Sequence, residues 1–318
     1  MKGLGGRIMM PSASTRAASV YGRSSWASDA EPEHVLNMDT CVSGIAFHPK
    51  KERLLAAAGA NGEIFVWDLA LATDNLVADS GLKTFGGHSE PITALRWITA
   101  TPNSRTFLIL TAGLDGRLIM WANNASKTTP NRSTVTPSKQ MTIVQTTTSV
   151  LKNSWSDGLI SASVMGVTSV NTSVSSCLFG TDTGGIGRCR FSDFKDLRAV
   201  VIDSAVTLNY EQHNGPVTGI ARSHFSDQCF ATVSSDGKLK LFRNADMSPI
   251  VETAPFEGEK FTCCDWSPFR PYVIIVGTSN GNLLFFDFYA KRQRTKPAKM
   301  VKIFEGAEIL SVQFNNRE

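Results

Sequence analysis

Gly62-Glu63-Ile64-Phe65-Val66-Trp67-Asp68 returns along the chain as Gly116-Arg117-Leu118-Ile119-Met120-Trp121 and as Gly237-Lys238-Leu239-Lys240-Leu241-Phe242. It returns once more as Gly281-Asn282-Leu283-Leu284-Phe285-Phe286-Asp287. Each copy is a turn glycine followed by an alternating strand that ends in an aromatic. A strand of small and apolar residues precedes each copy, at residues 54–59, 108–113, 230–234 and 273–277. Ahead of those lie further alternating runs, beginning at Val42, Pro91, Val217 and Phe261. The first is stopped by His48-Pro49, where proline has no donor for a continuing ladder.

Working outward, the pattern predicts four-stranded units over about residues 42–86, 91–145, 164–202, 217–253 and 261–304. The second is expected to close near residues 141–145, after an irregular Ser/Thr/Asn/Pro-rich loop between Trp121 and Met141. The third is the least regular, with its outer strand expected at residues 198–202. Fixed repetition of such units is the signature of an all-β propeller of the tryptophan–aspartate repeat (WD40) type. A sixth unit only begins: residues 309–314 match the inner strands of the earlier units, and residues 34–38 could add one outer strand. The expectation is five recognisable blades and a partial last one, incomplete at the C-terminus through truncation or as a short product of a longer gene. Residues 1–33, rich in Ser, Ala and Gly, are expected to be a disordered leader to a propeller over 34–318. An uncapped last blade is expected to associate through the strand at 309–314.

The 318 residues are 42% hydrophobic and 19% charged, with a net charge of +4. No run approaches the roughly 20 apolar residues of a spanning helix, so no membrane partner is expected. The basic cluster Lys291-Arg292-Gln293-Arg294-Thr295-Lys296, with Lys299 and Lys302, lacks neighbouring stacking aromatics and reads as a solvated loop, not a nucleic-acid surface. Cys41, Cys177, Cys189, Cys229, Cys263 and Cys264 lie mostly in apolar runs and suit neither a zinc site nor a disulfide framework. They are expected to be free thiols in a reducing compartment, with no metal and no cofactor.

His88, Thr111, Asp115 and Trp121 stand where a hydrogen-bond chain can run from turn carboxylate to imidazole, strand hydroxyl and indole. His213, Thr232 and Asp236 repeat it, with Phe242 in place of the tryptophan. A His–Asp–Thr set could suggest nucleophilic catalysis. Recurrence in a second unit points instead to structure, so no catalytic residue is assigned and the protein is expected not to be an enzyme. Because Phe242 has no N–H, Asp236→Ala is expected to cost less stability than Asp115→Ala. The glycine-rich run 180–187 fits no phosphate-binding fingerprint and is expected to be a turn. Trp266-Ser267-Pro268-Phe269-Arg270-Pro271 is expected to form a stiff corner. Phe269 and Arg270 are its candidate partner contacts, the alternative being a turn with Phe269 tucked beneath the blade.

The segments Val42-Ser43-Gly44-Ile45-Ala46-Phe47-His48-Pro49, Leu55-Ala56-Ala57-Ala58-Gly59 and Asn61-Gly62-Glu63-Ile64-Phe65-Val66-Trp67-Asp68 resemble an early blade of dynein intermediate chains. So do Asp79-Ser80-Gly81-Leu82 and His88-Ser89-Glu90-Pro91-Ile92 after them, and Gly215-Pro216-Val217-Thr218 further on. Within that family, Gly180-Thr181-Asp182-Thr183-Gly184-Gly185, residues 283–288 and residues 310–314 are most similar to the dynein-2 branch, the ciliary retrograde motor. The resemblance implies a non-catalytic scaffold on a dynein heavy-chain tail in intraciliary transport, found in cytoplasm, cilium and cytoskeleton. It also implies a second intermediate chain and light chains as partners. Residues 1–33 are expected to be too short and motif-poor to replace the family's amino-terminal light-chain-binding extension. Ile143-Val144-Gln145-Thr146-Thr147 resembles a strand captured by a dynein light chain, but is expected to be paired already within blade two. The alternatives are a cytoplasmic or axonemal dynein intermediate chain, or a substrate adaptor of a ubiquitin ligase or other cytosolic assembly.

Overall fold

The computed structural model describes residues 7–10, 34–71, 75–81, 85–98, 108–125, 133–142, 144–146, 162–164, 166–173, 175–196, 206–256, 258–289 and 295–315. Five four-stranded antiparallel blades follow one another along the chain. Blade 1 is Val42–Phe47, Leu54–Gly59, Ile64–Asp68 and Leu76–Asp79. Blade 2 is Ile92–Ile98, Leu108–Gly113, Arg117–Ala125 and Ser133–Thr142. Blade 3 is Val167–Thr172, Ser176–Thr181, Ile186–Arg190 and Val206–Tyr210. Blade 4 is Val217–Arg222, Cys229–Ser234, Leu239–Arg243 and Val251–Glu252. Blade 5 is Phe261–Trp266, Val273–Thr278, Asn282–Asp287 and Lys299–Lys302. The five expected blades are therefore present, in sequence order.

The turn glycines of four blades serve two purposes. Gly62, Gly184, Gly237 and Gly281 have φ of 84°, 90°, 74° and 80°, a region that other residues enter only with strain. A Cβ on them would also lie 2.7 Å from the His88 carbonyl, 2.3 Å from that of His213, 2.6 Å from that of Glu259 and 2.3 Å from that of Phe304. Each of those carbonyls belongs to the loop leading into the following blade, so the turn of one blade seats directly on the backbone of the next.

Apolar contact between blades follows the strand alternation. Ala56, Ile64 and Val66 of blade 1 face Ile92, Leu95, Ile109 and Trp121 of blade 2. Leu110 and Met120 of blade 2 face Val170, Phe179 and Cys189 of blade 3. Leu178 and Tyr210 of blade 3 face Ile220, Phe230 and Phe242 of blade 4, and Val233 and Leu239 of blade 4 join a core with Phe261, Val276 and Phe286 of blade 5.

A second device links the blades. Every inner strand carries a register shift at the same place, across Ser43, Thr93, Thr168, Thr218 and Thr262. A bulge re-aims the residue it contains. In blades 2 to 5 it turns the hydroxyl toward the adjacent blade: Thr93 donates to the Val167 carbonyl, Thr168 to that of Val217, Thr218 to that of Phe261 at 2.8 Å, and Thr262 to that of Ile309, whereas Ser43 of blade 1 donates to the Ala58 carbonyl of its own blade at 3.1 Å.

Three details differ from expectation. The stretch expected as an irregular loop in blade 2 is a long hairpin, Arg117–Ala125 against Ser133–Thr142, with a register shift after Pro137 that accommodates its missing donor. Val135 and Met141 supply buried anchors, and the alternating threonines suit an exposed β-ribbon. That ladder ends where Thr142 meets Arg117, so Val144–Thr146 falls outside blade 2 and pairs with Ala162–Val164 instead. Ile143 and Thr147 lie outside the described residues. The outer strand of blade 3 is Val206–Tyr210, and residues 198–202 also lie outside the described residues. Finally, Arg7–Met10, within the segment expected to be a leader, pairs antiparallel with His34–Asn37.

Candidate functional site

The recurring polar set is assembled as the spacing predicts. His88 Nδ1 lies 3.0 Å from both carboxylate oxygens of Asp115, and its Nε2 lies 2.7 Å from the Thr111 hydroxyl. The Trp121 indole N–H donates to that same hydroxyl at 2.7 Å. The His88 ring, Thr111 and Trp121 are fully buried. With Nδ1–H committed to Asp115, Nε2 is an acceptor, and Thr111 donates to it. The alternative acceptor, the Ile119 carbonyl, is further away at 3.4 Å. In blade 4, His213 Nδ1 is 3.1 Å from Asp236 and its Nε2 is 2.9 Å from Thr232. There the chain ends at Phe242, whose ring stacks on Phe230 at 5.1 Å and has no polar hydrogen to place.

Each aspartate also accepts two backbone N–H groups: Ser89 and Arg117 for Asp115, Asn214 and Lys238 for Asp236. Burial alone would push both carboxyls up, but the hydrogen bond from the histidine ring and these N–H groups outweigh it. Asp115 is held below the usual carboxylate range and Asp236 is lowered to about 2. A carboxylate saturated by three donors is a lock between loops, not an available base. The contact also explains Gly113, where a Cβ would stand 2.5 Å from His88 Nδ1. The glycine-rich run of blade 3 is a turn, with the Gly185 N–H donating to the Thr181 hydroxyl at 2.8 Å. No cluster among the described residues has the His, Cys, Asp or Glu groups to hold a metal ion.

The corner at Phe269 and Arg270 is also where the sequence placed it. The Ser267 hydroxyl accepts the N–H of Phe269 at 3.3 Å and of Arg270 at 3.0 Å, and Trp266 Nε1 donates to the Pro271 carbonyl at 3.0 Å. Phe269 is not tucked under: it is 50% exposed. Two residues that sequence reasoning passed over stand near it along the same blade. Tyr272 and Tyr289 face each other with ring centroids 5.8 Å apart, and Tyr289 is 76% exposed. Of the basic cluster beyond, Lys291, Arg292 and Arg294 lie outside the described residues.

The inner strands surround a cavity of about 720 Å³ lined by Ile45, Arg96, Asn171, Arg222, Asp265 and Gln313, among others. Its polar groups largely serve the ring itself: Asn171 donates to the Ile220 carbonyl at 3.2 Å, Arg222 to Thr172 at 3.3 Å, and Asp265 accepts from the Phe314 N–H at 2.7 Å. No single strand shows this arrangement in its sequence, because each contributes one or two side chains to it.

The family described as WD domain, G-beta repeat matches residues 31–68, 80–122 and 205–243. Repeat and blade together define a WD-repeat β-propeller. Cytoplasmic dynein 2 intermediate chain 2 of Mus musculus is 25% identical over 296 residues, covering 91% of this chain and 53% of that protein. Its Homo sapiens counterpart is 22% identical over 297 residues, with the same 91% and 53% coverage. Cytoplasmic dynein 1 intermediate chain of Drosophila melanogaster is 22% identical over 288 residues, 88% of this chain and 38% of that protein. The chain carries WD repeats and is similar to dynein intermediate chains over about nine-tenths of its length, and it spans about half the length of the dynein-2 relatives it matches. Among solved structures, the computationally designed Ika8 protein superposes with a TM-score of 0.54 at 15% identity, covering 87% of this chain and 66% of that one, a likeness of fold alone.

Proposed function

We propose that this chain is a non-catalytic scaffold that docks on the tail of a dynein heavy chain and serves retrograde transport in the cilium. The observation that carries this reading is the likeness to dynein-2 intermediate chains across 91% of the chain, over every blade. The blades supply rigidity: backbone seated on backbone, and hydroxyls joining neighbours, hold loop tips at fixed positions. The corner of Phe269 and Arg270, with Tyr272 and Tyr289, supplies a preorganised aromatic and cationic surface of the kind that concentrates binding energy.

Affinity capture of the tagged chain from ciliated cells, with mass-spectrometric identification of what accompanies it, tests the assignment. Heavy chain is expected, with a second intermediate chain and the light chains that this second chain carries. Capture without any heavy chain overturns the reading, and cullin-type partners would point to a ubiquitin-ligase adaptor. Phe269→Ala with Arg270→Glu is expected to weaken heavy-chain recovery while leaving the circular dichroism spectrum unchanged.

A further inference from the structure

Blade 3 departs from its neighbours at one position. In the other four blades the second strand faces the third across a buried aliphatic or aromatic pair: Leu55 and Trp67, Ile109 and Trp121, Phe230 and Phe242, Ile274 and Phe286. The aromatic that closes each recurring phrase of the sequence stands there. In blade 3 the pair is Cys177 and Cys189. Counting along the chain places it identically, since Cys189 follows the turn residue Gly184 at the interval by which Trp121 follows Gly116. Phe179, Phe191 and Phe194 supply the aromatic rings of that core instead.

Two thiols fill less space than an aliphatic side chain and an aromatic ring, so packing alone does not favour the exchange. What the pair offers is proximity. The two sulfur atoms lie 2.9 Å apart. A disulfide bond is about 2.04 Å long, so closing it takes a movement of roughly 0.9 Å. Directly opposed residues of an antiparallel ladder are about 4.5–5.5 Å apart at Cα, within the range of about 4.4–6.8 Å that a disulfide spans. No other cysteine among the described residues stands opposite a second one. Cys229 is opposite Arg243, Cys263 opposite Gly277 and Cys264 opposite Val276, while Cys41 lies outside the strands.

We propose that Cys177 and Cys189 are a site of reversible oxidation, joined by a disulfide that staples the second and third strands of blade 3 when a low-molecular-weight disulfide such as oxidised glutathione is present as the chain folds. The thiolate of one cysteine attacks a glutathione sulfur, the glutathione S–S bond breaks, and one glutathione thiolate leaves. The second cysteine attacks the protein sulfur of the mixed disulfide, forming the bond between residues 177 and 189 and releasing the second glutathione. The two protons shed by the cysteines pass to the two departing thiolates; the pair loses two electrons and the glutathione disulfide gains them. Timing follows from burial. Both thiols are enclosed in the finished blade, and burial raises that of Cys177 well above its ordinary value, so the folded ring exchanges slowly in either direction. The pair is therefore set while the strands are open, and the closed blade preserves whichever state it was given.

Refolding the full chain from urea in a mixture of reduced and oxidised glutathione, beside a control in dithiothreitol, tests this. After alkylation of free thiols and proteolysis without reductant, mass mapping is expected to find the link between Cys177 and Cys189 as the predominant disulfide, with Cys41, Cys229, Cys263 and Cys264 alkylated. The linked chain is expected to unfold at a higher urea concentration than the control, because the bond closes a loop in the unfolded state. Dithiothreitol is expected to cleave the bond roughly tenfold faster, or more, in urea than in the folded protein. Cys189→Ala is expected to abolish the difference between the two buffers, whatever it does to stability in both. Free thiols at both positions after oxidative refolding, or a predominant disulfide between other cysteines, overturns the proposal. So does a chain that refolds only in reductant, or equal urea midpoints for the linked and unlinked forms.

Discussion

Replacing Thr111 with Val should cost more stability than replacing Thr232 with Val, although both hydroxyls are fully buried at the same place in their blades. Valine preserves shape and removes only the hydroxyl. In blade 2 that strands two groups, the lone pair of His88 Nε2 and the Trp121 N–H, each held at 2.7 Å by the same oxygen. In blade 4 it strands only His213 Nε2, held at 2.9 Å. A buried polar group left without a partner costs about 1–3 kcal/mol. Thr111→Val should therefore exceed Thr232→Val by about 1–3 kcal/mol, the weight of one buried indole N–H. Urea unfolding followed by fluorescence and circular dichroism, with unchanged slopes, reads the difference. Adding Trp121→Phe to Thr111→Val should recover most of the excess, because it removes the stranded donor and copies what Phe242 already provides. Equal losses at the two threonines, or simple additivity between positions 111 and 121, would refute the reasoning.

Each aspartate accepts one ring N–H and two backbone N–H groups, so, in place of the smaller loss the sequence suggests at Asp236, Asp115→Ala and Asp236→Ala should destabilise alike, by about 1–3 kcal/mol each. Unequal urea midpoints would contradict this. Because the folded-state carboxyl of Asp236 is lowered to about 2, its contribution is complete above the unfolded value of roughly 4 and is lost as pH falls from there through 2. Urea midpoints between pH 5 and 2 should fall more steeply for the wild type than for Asp236→Asn, and parallel curves would count against it. Burial raises the thiols of Cys177 and Cys264 well above their ordinary value, while Cys41 is exposed. Brief alkylation at pH 8 should mark Cys41 and spare those two until urea is added, as peptide mass mapping would show.

Much of this architecture was legible because the repeat carries its own punctuation. A positive-φ glycine before an alternating strand needs no knowledge of distant parts of the chain, and His88, Thr111, Asp115 and Trp121 were recoverable because their neighbours in the network sit at fixed offsets. The hairpin of blade 2 was not. Threonine, serine and asparagine favour turns as readily as exposed ribbons, and what settles the matter is the pairing of Ser133–Thr142 with Arg117–Ala125. The tyrosines beside Phe269 escaped because Tyr272 and Tyr289 are 17 residues apart and meet only once blade 5 is folded. The relay threonines fall inside the expected strands, yet nothing in the sequence marks their role. Their function depends on a one-residue bulge and on a neighbour some forty or more positions away, and neither leaves a mark in local periodicity.

That relay has an evolutionary consequence. Its donors need only be a small hydroxyl at one site per blade, and its acceptors are carbonyls of the main chain, which every sequence possesses. Spacing between blades is thus written largely in atoms that mutation cannot remove. Side chains elsewhere in the core are then free to drift in size and kind, provided the volume between sheets is refilled. A chain built this way can keep the frame of its relatives across nine-tenths of its length while sharing only a quarter of their residues, and its specialisation can be invested in the loop tips without renegotiating the frame.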